Sequence, residues 1–329
     1  MNTIKSNKMK AAFIEQYGNA QNLIIGELEL PQIKDNQVLI KVAAAGVNPV
    51  DFHIRNGMLK DTDTHTLPLV LGWDISGEIA QTGKDVSGFE QGDQVFAFSD
   101  IAKQGSYAQY IAVDAELVAF KPKNQSFYQA AATPLAAVTA WQALTREGLL
   151  SLGENTGKKV LIHNASGGVG SFAVQIAKYL GAHVIASASS AKEKYVKSLG
   201  ADEFIDYQTQ DFSQIVEDVD IVLAAVGGQD TLQKSLTVLK EGGRLISTLD
   251  ELDANTLIPN NIHFSRMWVQ PDAKDLTKIG ELMEAEKIKV HLDAIYPLED
   301  VQAAHQRSEE GKTIGKIVLN IAAHEFVNQ

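Results

Sequence analysis

The second half of the chain alternates short apolar runs with amphipathic ones. Apolar runs at Lys159–His163, His183–Ser187, Glu203–Ile205, Asp220–Ala225 and Arg244–Thr248 predict strands. Helical spacing lies between them, at Ser171–Leu180, Lys192–Leu199, Phe212–Val216 and Thr231–Lys240. In Ser171–Leu180 the residues Phe172, Ala173, Ile176, Ala177 and Leu180 share one stripe, and Gly181 stands where a C-terminal cap belongs. Strand–helix alternation with short connections predicts a doubly wound parallel sheet with helices on both faces.

The first part of the chain has a different texture. From Lys10 to about Lys121 it reads as short strands and turns, a mostly β segment. Strands are expected at Gln37–Ala45, Leu69–Leu71, Gly77–Ala80 and Gln94–Phe98, punctuated by glycines at 72, 77, 83, 88, 92 and 105. Phe127–Arg146 is Ala-rich and reads as helix. Beyond Pro271 the pattern turns mixed, with strands expected at Lys289–His291 and Lys316–Asn320 and a helix over Val301–Glu310. The fold class is therefore α/β with two domains, a dinucleotide-type domain over residues 126–269 and a mostly β domain made from residues 1–125 and 270–329.

Composition narrows the class. A length of 329 residues suggests about two domains. The chain is 45% hydrophobic and 21% charged, with net charge -12 and no basic stripe, which argues against nucleic acid and anionic membrane as partners. It has no cysteine, so disulfides, thiolate catalysis and Cys-ligated metals are excluded. Met1–Lys8 is polar and lacks the apolar core of a signal peptide, and the longest nearly apolar run, Ala130–Trp141, is too short to span a bilayer. A cytoplasmic protein is the expectation. The histidines at 65, 163, 183, 263, 291, 305 and 324 show no metal-ligand spacing, so no metal is expected.

The segment Lys159–Gly170 is a strand, a glycine-rich turn and a helix start. A helix N-terminus offers unpaired N–H groups and partial positive charge to a pyrophosphate. Gly167 allows close backbone approach and Gly170 allows the helix to pack on the strand, while Ala165 replaces the first glycine of the usual pattern. NAD binders usually place a carboxylate at the end of the second strand. Here Ala186–Lys192 has none, but has Ser189, Ser190 and Lys192, which favours NADP over NAD. The two serines would equally serve to cap a helix beginning near Lys192.

These stretches, with Ala45–Asp51, Pro68–Gly77, Gly88–Val95, Gly105–Tyr110, Leu199–Asp202, Ile205–Tyr207 and Gly315–Val318, resemble the medium-chain dehydrogenase/reductase superfamily, in its zinc-free quinone oxidoreductase and enone reductase branch. The resemblance implies a GroES-like catalytic domain, a Rossmann domain, NADPH as cofactor and a homodimer, with an edge strand near Met267–Val269 as the candidate seam. It implies pyrophosphate contacts at Gly167, Gly168 and Val169, with Thr139 near the nicotinamide. At the 2′-phosphate it implies Ser189, Ser190, Lys192, Tyr207 and Arg307, although Tyr207 also reads as a strand-end aromatic and Arg307 first of all as a solvated helix residue. Zinc alcohol dehydrogenases of the superfamily carry a cysteine in the region of Asn48–Asp51 and Gly-His-Glu where this chain has Gly72-Trp73-Asp74. Many relatives carry a tyrosine near Asn48–Asp51, where this chain has Phe52.

What then remains is hydride transfer to a carbon made electrophilic by conjugation. The expected substrates are α,β-unsaturated carbonyl compounds, including enones and 2-haloacrylate-like acids, with a quinone as the alternative electrophile. A hydrogen-bond donor should meet the oxygen that becomes negative. Asn48 and His53 are the catalytic candidates, against bland readings as a turn residue before Pro49 and a surface histidine. A zinc alcohol dehydrogenase and a nonenzymatic, crystallin-like NADPH-binding protein stay open as other classes.

Overall fold

Each of two units is organised around its own large sheet, and the first also holds a smaller three-stranded one. The computed structural model describes residues 6–256, 258 and 261–325, without the side chain of His324. Met1–Lys5 and that histidine side chain, both drawn on above, lie outside the described residues. One unit comprises Met1–Leu135, Pro271–Ala285 and Val290–Gln329, the other Ala136–Gln270 and Glu286–Lys289.

The first unit opens with β1 (Lys8–Ile14), β2 (Ile24–Glu29), β3 (Gln37–Val47), α1 (Pro49–Arg55), β4 (Leu69–Val70) and β5 (Asp74–Thr82). It continues through β6 (Gln94–Phe98), β7 (Tyr110–Asp114), β8 (Val118–Phe120) and α2 (Phe127–Ala131). Helix α3 (Pro134–Gln142) carries the chain into the second unit. There lie β9 (Lys159–His163), α4 (Gly168–Tyr179), β10 (His183–Ala188), α5 (Glu193–Ser198), β11 (Glu203–Asp206), β12 (Val219–Ala224), α6 (Gln229–Val238), β13 (Leu239–Ser247) and β14 (His263–Arg266). The chain then returns to the first unit with α7 (Ala273–Glu284), β15 (Leu292–Pro297), α8 (Val301–Glu309) and β16 (Lys316–Asn320).

In the first unit a seven-stranded sheet runs β15-β16-β3-β5-β6-β8, with β7 also paired to β3. β3 is buried along almost its whole length, because it is flanked by β5, β7 and β16. Val38, Ile40 and Val42 meet Ile75, Ile79, Val95, Ile111 and Val113 in its core. The second unit is a six-stranded sheet, β11-β10-β9-β12-β13-β14, with every pair parallel. The order reverses between β9 and β12, and in such sheets ligands bind beyond the strand C-termini at that reversal. On α4, Phe172, Ala173, Ile176 and Ala177 are buried, and Gly181 ends the helix at φ 92°. Fully burying Phe172 or Ile176 stabilises by roughly 1.5–3 kcal/mol each.

Several elements differ from the sequence reading. Phe127–Arg146 is not one helix: it breaks at Thr133–Pro134, since proline lacks an N–H and restricts the residue before it, and ends in a π-helical turn over Ala143–Glu147. The helix α2 packs Ala131 and Ala132 against Ala44 and Val318, which puts residues 126–135 with the first unit. Lys289–His291 is not a strand, because the Gln175 side chain takes both the N–H and the carbonyl of Lys289. The strand begins instead at Leu292. Phe212–Val216 shortens to one 3-10 turn, Phe212–Gln214. The edge strand expected near Met267–Val269 is His263–Arg266. Among the described residues no helix is long and apolar enough to cross a membrane.

Candidate active site

In the second unit, the glycine-rich loop leaves β9 at His163. Asn164 takes φ 53° and its amide donates to the Ala225 carbonyl at 3.1 Å, which ties the loop to the end of β12. The Ala165 N–H donates to Ser187 O at 3.0 Å, which ties it to β10. The left-handed residue is thus Asn164, so the alanine at 165 costs nothing and sits fully buried. Gly167 is the N-cap of α4, with no side chain on the cap. A Cβ there would lie 2.7 Å from Asn164 Nδ2, and one on Gly170 would run into the Asn164 carbonyl oxygen. The N–H groups of Gly168, Val169 and Gly170 have no intrahelical acceptor at this helix start. This cradle of small residues and oriented amides fits a dinucleotide pyrophosphate. Thr139 is buried on α3.

Just below, His163 is fixed in one tautomer. The Ser235 hydroxyl donates to Thr231 O at 2.6 Å, so it accepts from His163 Nε2–H at 3.3 Å. Nδ1 then accepts from Ser187 Oγ at 2.9 Å. Burial pulls this imidazole down to about 4. The Ser187 hydroxyl is therefore turned into the core.

Ser189, Ser190 and Lys192 come together in the turn after β10, and Tyr207 joins them because β10 and β11 pair Ala188 with Asp206. The Tyr207 N–H donates to Ala188 O at 3.3 Å and its ring is 61% exposed. At the N-cap, Ser189 makes no side-chain cap bond, so its hydroxyl is not consumed by capping. The sequence reading missed Asp206, whose Oδ1 accepts from the Ser190 N–H at 3.2 Å. That carboxylate comes from the neighbouring strand β11, brought beside the end of β10 by the pairing of Ala188 with Asp206.

In the first unit, α1 opens with Asn48 as N-cap and Pro49 at its first turn. Asn48 was expected to donate to a substrate carbonyl. It is instead 1% exposed, with Nδ2 donating to Asp74 Oδ2 at 2.9 Å and Oδ1 accepting from the Lys316 ammonium. Lys316 also donates to Val47 O at 3.2 Å and lies 3.6 Å from Asp74, whose other oxygen accepts from Leu135 N at 2.7 Å. Burial pushes Asp74 up and Lys316 down, and each charge opposes the other's shift. Gly46 is required here, since a Cβ would sit 2.8 Å from the Asp74 Cβ.

A second chain of bonds runs from Asp51 to the surface. Asp51 Oδ2 accepts from Asn48 N at 2.8 Å and from the Tyr107 hydroxyl at 2.7 Å, while Oδ1 has no partner. Burial pushes Asp51 up to about 7. Arg55 Nη1 can only donate, so His305 Nδ1 accepts at 3.0 Å and Nε2–H donates to the Tyr107 oxygen at 3.3 Å. Burial, with Arg55 beside it, holds His305 down to about 3. The far end is Arg55 paired with Glu309. Arginine does not surrender its proton, so this array is a strut that holds α1 rather than a proton wire.

His53 stands exposed on α1, its ring centroid 4.5 Å from that of Phe52. Partial burial lowers its pKa, so the neutral imidazole dominates at pH 7. Arg307 is gripped by Asp293 through Nε at 3.0 Å and Nη2 at 3.1 Å, and by Glu310 through Nη1 at 2.8 Å. Those hydrogen bonds, Asp293 first, raise its pKa. Trp73, Phe96 and Phe98 are core residues, and Tyr107 fills the space that Gly72 leaves open. Asp74, Tyr107, His305 and Lys316 were not singled out as site residues from sequence. Among the described residues no group of three or more His, Asp and Glu is placed to hold a metal ion. The buried carboxylate of Asp74 faces an ammonium, an arrangement that does not fit a zinc ion.

Comparison with known proteins bears on the family and the fold. Residues 34–123 match the alcohol dehydrogenase GroES-like domain family, and residues 199–319 match the zinc-binding dehydrogenase family. The 2-methylene-furan-3-one reductase of Solanum lycopersicum is 36% identical over 325 residues, 95% of this chain and 79% of that protein. The NADPH-dependent alkenal/one oxidoreductase, chloroplastic, of Arabidopsis thaliana is 36% identical over 323 residues, with the same coverage of 95% and 79%. Among solved structures, the quinone oxidoreductase from Coxiella burnetii aligns with TM-score 0.85 and 32% identity, over 95% of this chain and 99% of that one.

Proposed function

We propose that this chain, which belongs to the medium-chain dehydrogenase/reductase superfamily in its quinone oxidoreductase and enone reductase branch, uses NADPH to reduce the conjugated C=C bond of α,β-unsaturated carbonyl compounds. The observation that carries the reading is the amide cradle at Gly167–Gly170, combined with a catalytic-domain cluster closed by Lys316 rather than left open to a metal. When bound, the reduced nicotinamide supplies the hydride. The chain's own residues bind, orient and stabilise charge. Gly167, Gly168 and Val169 hold the pyrophosphate through backbone N–H groups, and Thr139 lies on the nicotinamide side. Ser189, Ser190, Lys192 and Tyr207 hold the 2′-phosphate. Arg307 is assigned to its clamp on Asp293 and Glu310 rather than to the phosphate.

His53 is the proposed donor to the substrate oxygen. Its neutral ring can present an N–H, and removing one such donor costs about 10²–10³ in rate. Asn48 acts on α1, as a positioning residue. The α-carbon then takes its proton from solvent. Following NADPH absorbance with but-3-en-2-one should show turnover, and a deuteride carried at C4 of the nicotinamide should appear on the β-carbon of the saturated ketone. Reduction of a quinone with enones left untouched would select the second reading, which relatives named quinone oxidoreductases favour. Turnover of neither would sink both. We also propose a cytoplasmic homodimer joined at the edge strand β14, beside the half-exposed Trp268, and sedimentation should give twice the chain mass.

A further inference from the structure

We infer that Asp206 limits this protein's preference for a 2′-phosphorylated cofactor, so that it accepts the unphosphorylated dinucleotide as well. The inference rests on the reading above, in which Ser189, Ser190, Lys192 and Tyr207 form the phosphate pocket.

Asp206 closes a tight turn at the end of β11. Its Oδ1 accepts from Ser190 N at 3.2 Å and from Gln208 N at 3.1 Å, and its Oδ2 accepts from Thr209 Oγ1 at 3.0 Å. Its backbone carbonyl accepts from Thr209 N at 3.1 Å and Gln210 N at 2.9 Å, while its N–H donates to Gln210 Oε1 at 3.0 Å. Two consequences pull in opposite directions. The turn fixes Tyr207 beside the end of β10 and fixes Ser190 beside Tyr207, which builds the pocket. The same carboxylate takes the Ser190 N–H away from an incoming phosphate and places a negative charge at the pocket wall. A free ribose hydroxyl feels no such repulsion.

Because Ser190 and Tyr207 are exposed, solvent and salt screen the repulsion. The penalty is therefore moderate, roughly three- to tenfold in affinity. An asparagine would keep the acceptor for Ser190 and Gln208 and could donate to the Thr209 hydroxyl. It removes the charge and spares the turn.

Binding of adenosine 2′,5′-bisphosphate and of adenosine 5′-monophosphate to the full chain, measured by calorimetry, isolates the 2′-phosphate without any turnover. Asp206→Asn should tighten the bisphosphate roughly three- to tenfold, with the gain shrinking at high salt, and leave the monophosphate within about twofold. Asp206→Glu keeps the charge and should keep the wild-type ratio. Asp206→Ser, which can close the same turn without charge, covers the case where the asparagine variant folds poorly. An unchanged ratio in both neutral variants overturns the inference, as does parallel weakening of both ligands. Failure of the underlying pocket reads differently: wild type would bind the two ligands equally, and Lys192→Ala would weaken both alike instead of the bisphosphate alone.

Discussion

A single methyl group decides whether the glycine-rich loop between β9 and α4 can close. A Cβ on Gly170 would overlap the Asn164 carbonyl oxygen, and that oxygen cannot retreat because the loop is tied to both β10 and β12. Gly170→Ala should cost about 1–3 kcal/mol by overpacking and should weaken dinucleotide binding. Gly181→Ala, at φ 92° with open space around it, should cost about 1 kcal/mol and leave binding alone. Thermal melts with and without NADP check both; equal loss of binding in the two variants would refute the argument. Residues of this kind were legible in the sequence, because a turn between a strand and a helix is local. Asn48 was misread for the opposite reason. Its partners Asp74 and Lys316 lie 26 and 268 residues away, and no spacing along the chain announces them.

At the scale of elements, the seven-residue helix α1 is too short to hold itself and is held by its surroundings. Lys316 from β16 and Asp74 from β5 fix its N-cap, and Tyr107 and His305 fix its first and last turns through Asp51 and Arg55. Lys316→Met would leave Asp74 buried without its cation, and should cost about 3–5 kcal/mol. Adding Asp74→Asn should return a large part of that loss, since the uncompensated charge is gone. Denaturant titrations of the single and double variants give the coupling, and simple additivity would contradict the ion-pair account. Long periodic elements such as α4 were readable because one stripe of apolar residues repeats at the helical period. The helix α7 carried a comparable stripe, Leu276, Ile279 and Met283 behind the cap Asp272, and it passed unread among mixed signals. Phe127–Arg146 misled in the other direction, because alanine-rich composition hid the break that Pro134 imposes.

At the scale of the whole molecule, among the described residues each unit holds a buried histidine held neutral, and the buried carboxyls that resist ionisation, Asp51 and Asp74, both lie in the first unit. In the second unit His163 is held down to about 4, well below the free imidazole value of 6.5. The unfolded chain then binds a proton that the folded chain refuses. Its contribution to stability is full above pH 6.5 and is lost as the pH falls toward 4. In the first unit His305, held down to about 3, works the same way, but Asp51, raised to about 7, works against it. A folded pKa above the free carboxylate value means that the folded chain keeps a proton, so the Asp51 contribution is present at low pH and is lost as pH rises through about 7. Between pH 4 and 6.5 the His305 and Asp51 contributions therefore run in opposite directions, whereas among the described residues of the second unit no carboxyl is raised to oppose His163. His163→Asn keeps a polar side chain there and removes the titration. Wild type should lose about 1.4 kcal/mol more stability per pH unit than the variant as pH falls through that window. Urea titrations followed by backbone circular dichroism across the window measure both slopes, and parallel slopes would mean that His163 titrates normally in the fold.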